Sequence, residues 1–198
     1  MLTFVVAVIF LIGTPGPGVL SLAGVGAAYG YRDGWRYLVG LAIGNNMVAV
    51  TVLTGLAAIM LAEPGVRTVL GIASAAYLLW LAYKIAFAGA KVAFIERPAP
   101  PGIKGGVLLQ AINPKAYAVS TAIFANFAFM AERPGLEAAL KLLIFNAIWV
   151  VLHIFWLWLG VTIRKLDLAP AKQRAINVGM ALAMLGVVAL AAASQLSG

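Results

Sequence analysis

Six long apolar segments alternate with short connectors that carry most of the charged and turn-forming residues. Each segment is close to the roughly 20 residues that a helix needs to cross a bilayer. We therefore predict an all-α membrane protein with a single transmembrane domain over residues 1–198. The predicted spans are Leu2–Tyr29, Leu38–Ala62, Val66–Tyr83, Gly106–Met130, Leu142–Ile163 and Ala175–Leu196.

The composition indicates that lipid surrounds most of the chain. Apolar residues make up 64% of the sequence and charged residues only 10%, whereas about a quarter of a soluble domain is charged. A net charge of +8 would indicate nucleic-acid binding in a soluble protein. Here the basic residues lie in connectors between apolar segments, which is typical of loops that face anionic lipid. We expect no nucleic-acid partner.

The distribution of lysine and arginine predicts the orientation in the membrane. The second and fourth connectors contain only three basic residues, and one more, Lys115, lies inside a span. Because cytoplasmic loops carry the excess of basic residues, both termini are predicted to be periplasmic or extracellular, with residues 88–104 forming an irregular cytoplasmic loop. No basic residue precedes the first apolar run, which favours a retained span over a cleaved signal peptide. The first, third and fifth connectors hold ten basic residues: Arg32, Arg36, Lys84, Lys91, Arg97, Lys104, Arg164, Lys165, Lys172 and Arg174.

The spans also predict an internal symmetry. With six spans and the first starting outside, the fourth span starts inside, so the first three helices and the last three run in opposite senses. We predict two inverted three-helix repeats, repeat one over residues 1–87 and repeat two over residues 105–198. Thr14-Pro15 in the first span and Asn113-Pro114 in the fourth both place proline after a polar residue, half the chain apart. Helices 1 and 4 are therefore predicted to be broken.

The first break is the motif Thr14-Pro15-Gly16-Pro17-Gly18, in the middle of an apolar run. Two prolines and two glycines in five positions oppose a continuous helix, and broken backbone at membrane depth survives only beside protein or water. A half-helix starting near Pro17 would direct free N–H groups and a positive dipole end into that space, which suits a carboxylate. The alternative is a kinked helix that packs through its glycines.

The second break is Asn113-Pro114-Lys115, about ten residues into the fourth span. A lysine near the bilayer centre costs about 2.5–3.5 kcal/mol on insertion scales, which favours a position facing a cavity. Lys115 could contact a substrate carboxylate or carry a proton. The alternative is a lysine that snorkels to the interface or caps helix-end carbonyls.

These two motifs, in order, resemble the paired PGP and NPK signatures of the LysE/RhtB family of amino-acid exporters. The stretch AAYLLWLAYK from Ala75 to Lys84 is similar to that family's third span, and the resemblance covers nearly the whole chain. It implies a six-helix translocator of a bacterial inner (plasma) membrane. The implied activity is export of an amino acid or small derivative, driven by the proton motive force.

The chain also departs from the family pattern. Relatives commonly have asparagine where Gly18 stands, and many carry a carboxylate in the second span where this chain has Asn45 and Asn46. The segment Ala125-Asn126-Phe127 replaces the family's Pro-Gln-Phe. We include Asn45 and Asn46 among the predicted substrate-binding residues, with Thr14, Pro15, Gly16, Pro17, Gly18, Asn113, Pro114 and Lys115.

The remaining chemistry is sparse. His153, in the fifth predicted span, is the single histidine; it either makes an interhelical hydrogen bond or relays protons together with Lys115. No acidic residue lies within a predicted span, and a cationic side chain would need a buried counter-charge. We therefore expect a substrate with a neutral side chain. With no cysteine and one histidine, we predict no metal site and no cofactor.

Other classes of function remain as alternatives. An intramembrane enzyme would need a nucleophile–base pair, paired aspartates or a metal cluster, and none is present, so we predict that the chain is not an enzyme. A passive channel for small solutes and a membrane scaffold or assembly protein are the alternatives to secondary-active export. The expected partners are an amino-acid substrate, the lipid bilayer and the proton as coupling ion, and homo-oligomerisation is left open.

Overall fold

The regular elements of the described chain are helices. A computed structural model describes residues 1–14, 16–55, 62–87, 99–127, 129–130, 132–166, 171–172, 174–179, 181–182 and 185–186. Seven helices have assigned bounds within these ranges: α1 (Leu2–Gly13), α2 (Pro17–Tyr29), α3 (Tyr31–Leu53), α4 (Pro64–Phe87), α5 (Gly102–Ile112), α6 (Pro114–Asn126) and α7 (Pro134–Lys165).

Length and hydropathy identify the membrane helices. Among the described residues, α3, α4 and α7 are each long and apolar enough to cross a bilayer, and α1 with α2 forms a fourth candidate that bends by 52° at its break. Helix α5 is a shorter apolar helix. The all-α membrane prediction is confirmed at this level, whereas six spans and inverted repeats remain predictions. Most of the sixth predicted span, Ala175–Leu196, lies outside the described residues.

Proline determines where both broken helices restart. Helix α1 ends at Gly13, and α2 begins at Pro17 with extended backbone at Gly16 before it. Proline is favoured at the first helical position because it has no N–H to leave unsatisfied. Pro15 lies outside the described residues. The half-helix predicted to start near Pro17 is therefore present.

The second break has the same construction. Helix α5 ends at Ile112, Asn113 is extended, and Pro114 opens α6. The Asn113 side chain accepts a hydrogen bond from the Lys115 backbone N–H at 3.1 Å, which is the usual role of asparagine at a helix start. Of the predicted loop 88–104, residues 88–98 lie outside the described residues, and the last three residues form the first turn of α5 instead.

The fifth predicted span starts too late in the sequence. It was placed at Leu142, but α7 begins at Pro134 and includes the buried residues Glu137 and Lys141. The expectation that no acidic residue lies in a membrane helix was therefore wrong. Glu137 and Lys141 form an ion pair of 2.7 Å, and the carboxylate also accepts the Phe129 N–H at 3.0 Å. The ion pair and the hydrogen bond together offset the desolvation cost of burying the carboxylate.

Helices α3 and α5 meet through glycine. A Cβ on Gly106 would lie 2.6 Å from the Leu41 backbone nitrogen, and one on Gly44 would lie 2.8 Å from the Val107 carbonyl oxygen. Gly40 faces the Ile103 carbonyl in the same way. Small residues allow helix backbones to approach closely in membranes. The two helices, one from each half of the sequence, therefore touch backbone to backbone.

Candidate functional site

The two breaks lie against each other. The Lys115 ammonium, in the first turn of α6, donates a hydrogen bond of 2.5 Å to the Thr14 carbonyl oxygen at the end of α1. The C-terminal ends of α1 and α5 and the N-terminal ends of α2 and α6 thus come together. Such an arrangement places positive and negative helix-dipole ends around one point.

A cavity opens at this meeting point. Its volume is about 50 Å³, which is large enough to hold water. Lys115 is the only fully charged group among the described residues that line it. The lining residues are Leu11, Ile12, Thr14, Gly16, Gly18, Val19, Asn45, Gln110, Asn113, Lys115, Ala116, Val119, Ser120, Phe145, Trp149 and His153.

Lys115 crosses from α6 to α1 over Gly16. A Cβ on Gly16 would lie 2.7 Å from the Lys115 Cδ and 3.0 Å from its Nζ, so glycine provides the passage for this side chain. The side chain caps a helix-end carbonyl, one of the interpretations left open by the sequence, and it also lines the cavity. A cation held here by one carbonyl oxygen keeps two N–H donors for other acceptors.

His153 presents one nitrogen to the cavity. Its Nδ1 lies 2.8 Å from the Trp149 carbonyl oxygen on the same helix, and its ring stacks on Trp149 with centroids 3.5 Å apart. A carbonyl oxygen only accepts, so Nδ1 must carry the hydrogen, and Nε2 of the neutral ring is an acceptor. The hydrogen bond found is therefore intrahelical rather than interhelical.

Three amides form an ordered chain beside the break. The Asn113 Nδ2 donates to Gln110 Oε1 at 2.9 Å, and Gln110 Nε2 donates to Asn45 Oδ1 at 3.5 Å. The Asn45 Nδ2 and the Ser120 Oγ have no hydrogen-bond partner among the described residues, although both side chains are buried. Buried polar atoms without a partner are rare, and these two belong to residues that line the cavity.

Asn46 does not reach the cavity. Its side-chain amide exchanges two hydrogen bonds with Asn146 on α7, at 2.8 and 2.9 Å. This reciprocal pair joins α3 to α7, as polar side chains commonly do between membrane helices. Pro17 and Pro114 open their helices without lining the cavity. Of the predicted site residues, the structure brings together Thr14, Gly16, Gly18, Asn45, Asn113, Lys115 and His153.

Sequence reasoning missed several lining residues. Gln110 lies three residues before Asn113, and Trp149 lies four residues before His153, so both spacings place them on the face of the predicted residue. That periodicity was the available signal for these two. Ser120 and Phe145 carried no comparable signal, because an isolated serine or phenylalanine is ordinary in a membrane helix.

The fold and the cavity define a helical membrane protein with polar groups gathered at two broken helices. The chain belongs to the family of LysE type translocators, whose model matches residues 9–195. The resemblance to LysE/RhtB exporters is thereby confirmed. A translocator family is a class of transporters rather than of enzymes, in agreement with the prediction.

Individual relatives are named as efflux proteins. A leucine efflux protein of Klebsiella pneumoniae subsp. pneumoniae is 30% identical over 141 residues, covering 68% of this chain and 66% of the relative. A cysteine/O-acetylserine efflux protein of Salmonella typhi is 34% identical over 103 residues, covering 52% of each chain. The chain thus spans about half to two thirds of the length of these curated relatives. No solved structure shows a significant match.

Proposed function

We propose that the protein is a secondary-active exporter of an amino acid, or small amino-acid derivative, with a neutral side chain. Export is driven by the proton motive force across a bacterial inner membrane, with both termini on the periplasmic or extracellular side. The two inverted repeats alternate access to the cavity between the breaks. The names of the efflux relatives and the family membership support this class of substrate.

The single observation that carries the proposal is the position of Lys115 at two helix N-termini. No side chain among the described residues caps the start of α2, and Lys115 lies across the gap on α6. A carboxylate placed there receives a charge-assisted hydrogen bond from the ammonium and contacts the positive end of α2. An amino acid offers such a carboxylate at the same place whatever its side chain.

The rest of the lining favours a neutral side chain. Leu11, Ile12, Val19, Val119 and Phe145 provide an apolar wall, and no acidic residue occurs among the described lining residues. The buried Glu137 is already paired with Lys141 and does not line the cavity. A lysine or arginine side chain would leave an uncompensated charge in this wall, which is costly.

Reconstituted vesicles test export directly. Proteoliposomes loaded with labelled leucine, cysteine or another neutral amino acid should release it faster when an inward proton gradient is imposed. A metabolite survey of cells that overproduce the protein should select the same amino acid. Release at one rate with and without the gradient would indicate a passive channel, and release of no neutral amino acid in either assay would refute export.

Gly18→Ala tests whether the space beside Gly18 belongs to the site. A Cβ there would lie 3.7 Å from both Gln110 Oε1 and His153 Nε2, so the methyl group fits without a clash but occupies space that the proposed substrate needs. We expect the apparent KM for export to rise roughly tenfold, with unchanged thermal stability. The control Gly135→Ala, at a position with nothing near its Cβ, should leave KM unchanged; equal values for both variants would exclude Gly18 from the site.

A further inference from the structure

We propose that the substrate ammonium binds between Gln110 Oε1 and His153 Nε2, beside Gly18, and that a proton at His153 Nε2 competes with it for this position. The inference rests on the proposed function and adds to it an ammonium subsite and a point of proton exchange. Both acceptor atoms come from buried side chains, 3% exposed in each case, and both face the same gap.

One backbone N–H group determines which atom is oxygen and which is nitrogen in the side-chain amides of Asn113, Gln110 and Asn45. The Lys115 backbone N–H can only donate, so the atom of Asn113 that it contacts at 3.1 Å must be Oδ1. Asn113 Nδ2 therefore donates to Gln110 Oε1, and Gln110 Nε2 to Asn45 Oδ1. A carbonyl oxygen accepts two hydrogen bonds, so Gln110 Oε1 keeps one free. Asn45 is the last amide in this series of hydrogen bonds, and its Nδ2 has no acceptor among the described residues.

The cavity consequently has two ends of opposite character. Lys115 Nζ, beside Gly16, is a charged donor suited to a carboxylate. Gln110 Oε1 and His153 Nε2 are acceptors, and an ammonium has three N–H groups to donate. The missing side chain at Gly18 leaves the acceptor end open, because both acceptors lie 3.7 Å from where its Cβ would be. A zwitterion thus matches both ends, whereas a simple carboxylic acid matches only one.

In this proposal, His153 Nε2 also binds the proton that replaces the substrate ammonium. The Nδ1 hydrogen is held by the Trp149 carbonyl, so a proton reaching the ring binds the Nε2 lone pair. The ring then becomes a cation with two donors and no acceptor, and it repels an ammonium. Lys115 on α6 is the other titratable group among the described lining residues; α1, α2, α3 and α5 contribute none to the lining. Substrate and proton therefore occupy this position alternately, as antiport requires.

Binding measurements on the purified full-length protein test the subsite. The probes are the neutral L-amino acids, and for the tightest binder its deaminated acid (4-methylpentanoate in the case of leucine). We expect His153→Leu and Gln110→Leu each to weaken amino-acid binding roughly tenfold or more while binding of the deaminated acid stays unchanged. Asn146→Leu removes a half-buried amide that does not line the cavity and serves as the control for stability.

His153→Gln separates the acceptor from the proton. Glutamine keeps an acceptor but does not titrate, so amino-acid binding should recover to within about threefold of wild type. Wild-type binding should weaken as pH falls, and that of His153→Gln should not. Equal losses for the amino acid and its deaminated acid, or a pH dependence that persists in His153→Gln, would overturn the subsite. Failure of the wild type to bind any neutral amino acid would instead overturn the proposed function.

Discussion

Lys115→Ala is expected to lower the rate of amino-acid export at least tenfold. The change removes the charge that we propose faces the substrate carboxylate, and also the hydrogen bond that joins the start of α6 to the Thr14 carbonyl. A charge-assisted hydrogen bond of this kind is worth about 1.5–3 kcal/mol when made in a desolvated site. Initial rates from proteoliposomes at several substrate concentrations measure the effect.

Two comparisons separate binding from structure. Lys115→Arg keeps a cation and should retain more export than Lys115→Ala, although its planar head fits the passage over Gly16 less well. The thermal midpoint of Lys115→Ala measures what the lost link to α1 costs in stability. If export by Lys115→Ala matches wild type while only its midpoint falls, the lysine is a helix cap and the proposed carboxylate site is wrong.

Gly106→Ala is expected to destabilise the protein more than any change near the cavity. The added Cβ would lie 2.6 Å from the Leu41 backbone nitrogen and 2.8 Å from the Gly40 carbonyl carbon, so no side chain can turn aside to make room. Overpacking of this kind costs about 1–3 kcal/mol, which corresponds to a thermal midpoint roughly 2–12 °C lower for a chain of this length. Unfolding in detergent, followed by tryptophan fluorescence, gives the midpoint.

Gly135→Ala is the matched control for this stability measurement. Nothing lies within 4 Å of the position of its Cβ, and alanine in a helix is favoured over glycine by about 0.5–1 kcal/mol. Its midpoint should stay the same or rise. An unchanged midpoint in Gly106→Ala would mean that α3 and α5 are not held backbone to backbone.

The breaks could be predicted from the sequence because their cause is local. Pro17 and Pro114 restrict their own backbone and that of the residue before them, so the helix starts follow from a few neighbouring residues. From the sequence, Lys115 is expected to lie deep in the fourth span. Its position opposite the first break follows only if the two halves of the chain are inverted repeats. The structure places the Lys115 ammonium against the Thr14 carbonyl oxygen, while the inverted repeats remain a prediction.

Other parts of the site depend on distant residues. Asn45 and Asn46 are adjacent in the sequence, yet one lines the cavity and the other pairs with Asn146 on α7. The rotation of α3 about its axis, relative to α5 and α7, decides which neighbour each asparagine faces. The hydropathy pattern does not predict this rotation. Glu137 was misassigned for the same reason, since its burial depends on Lys141 and the chain that enters α7.

The glycine contact between α3 and α5 bears on how the molecule could move. With no side chains between them at Gly40, Gly44 and Gly106, these helices have little room to slide or tilt against one another. Because α3 belongs to the first half of the sequence and α5 to the second, the proposed movement of one repeat against the other would have to take place around this contact, close to Asn45 and Gln110.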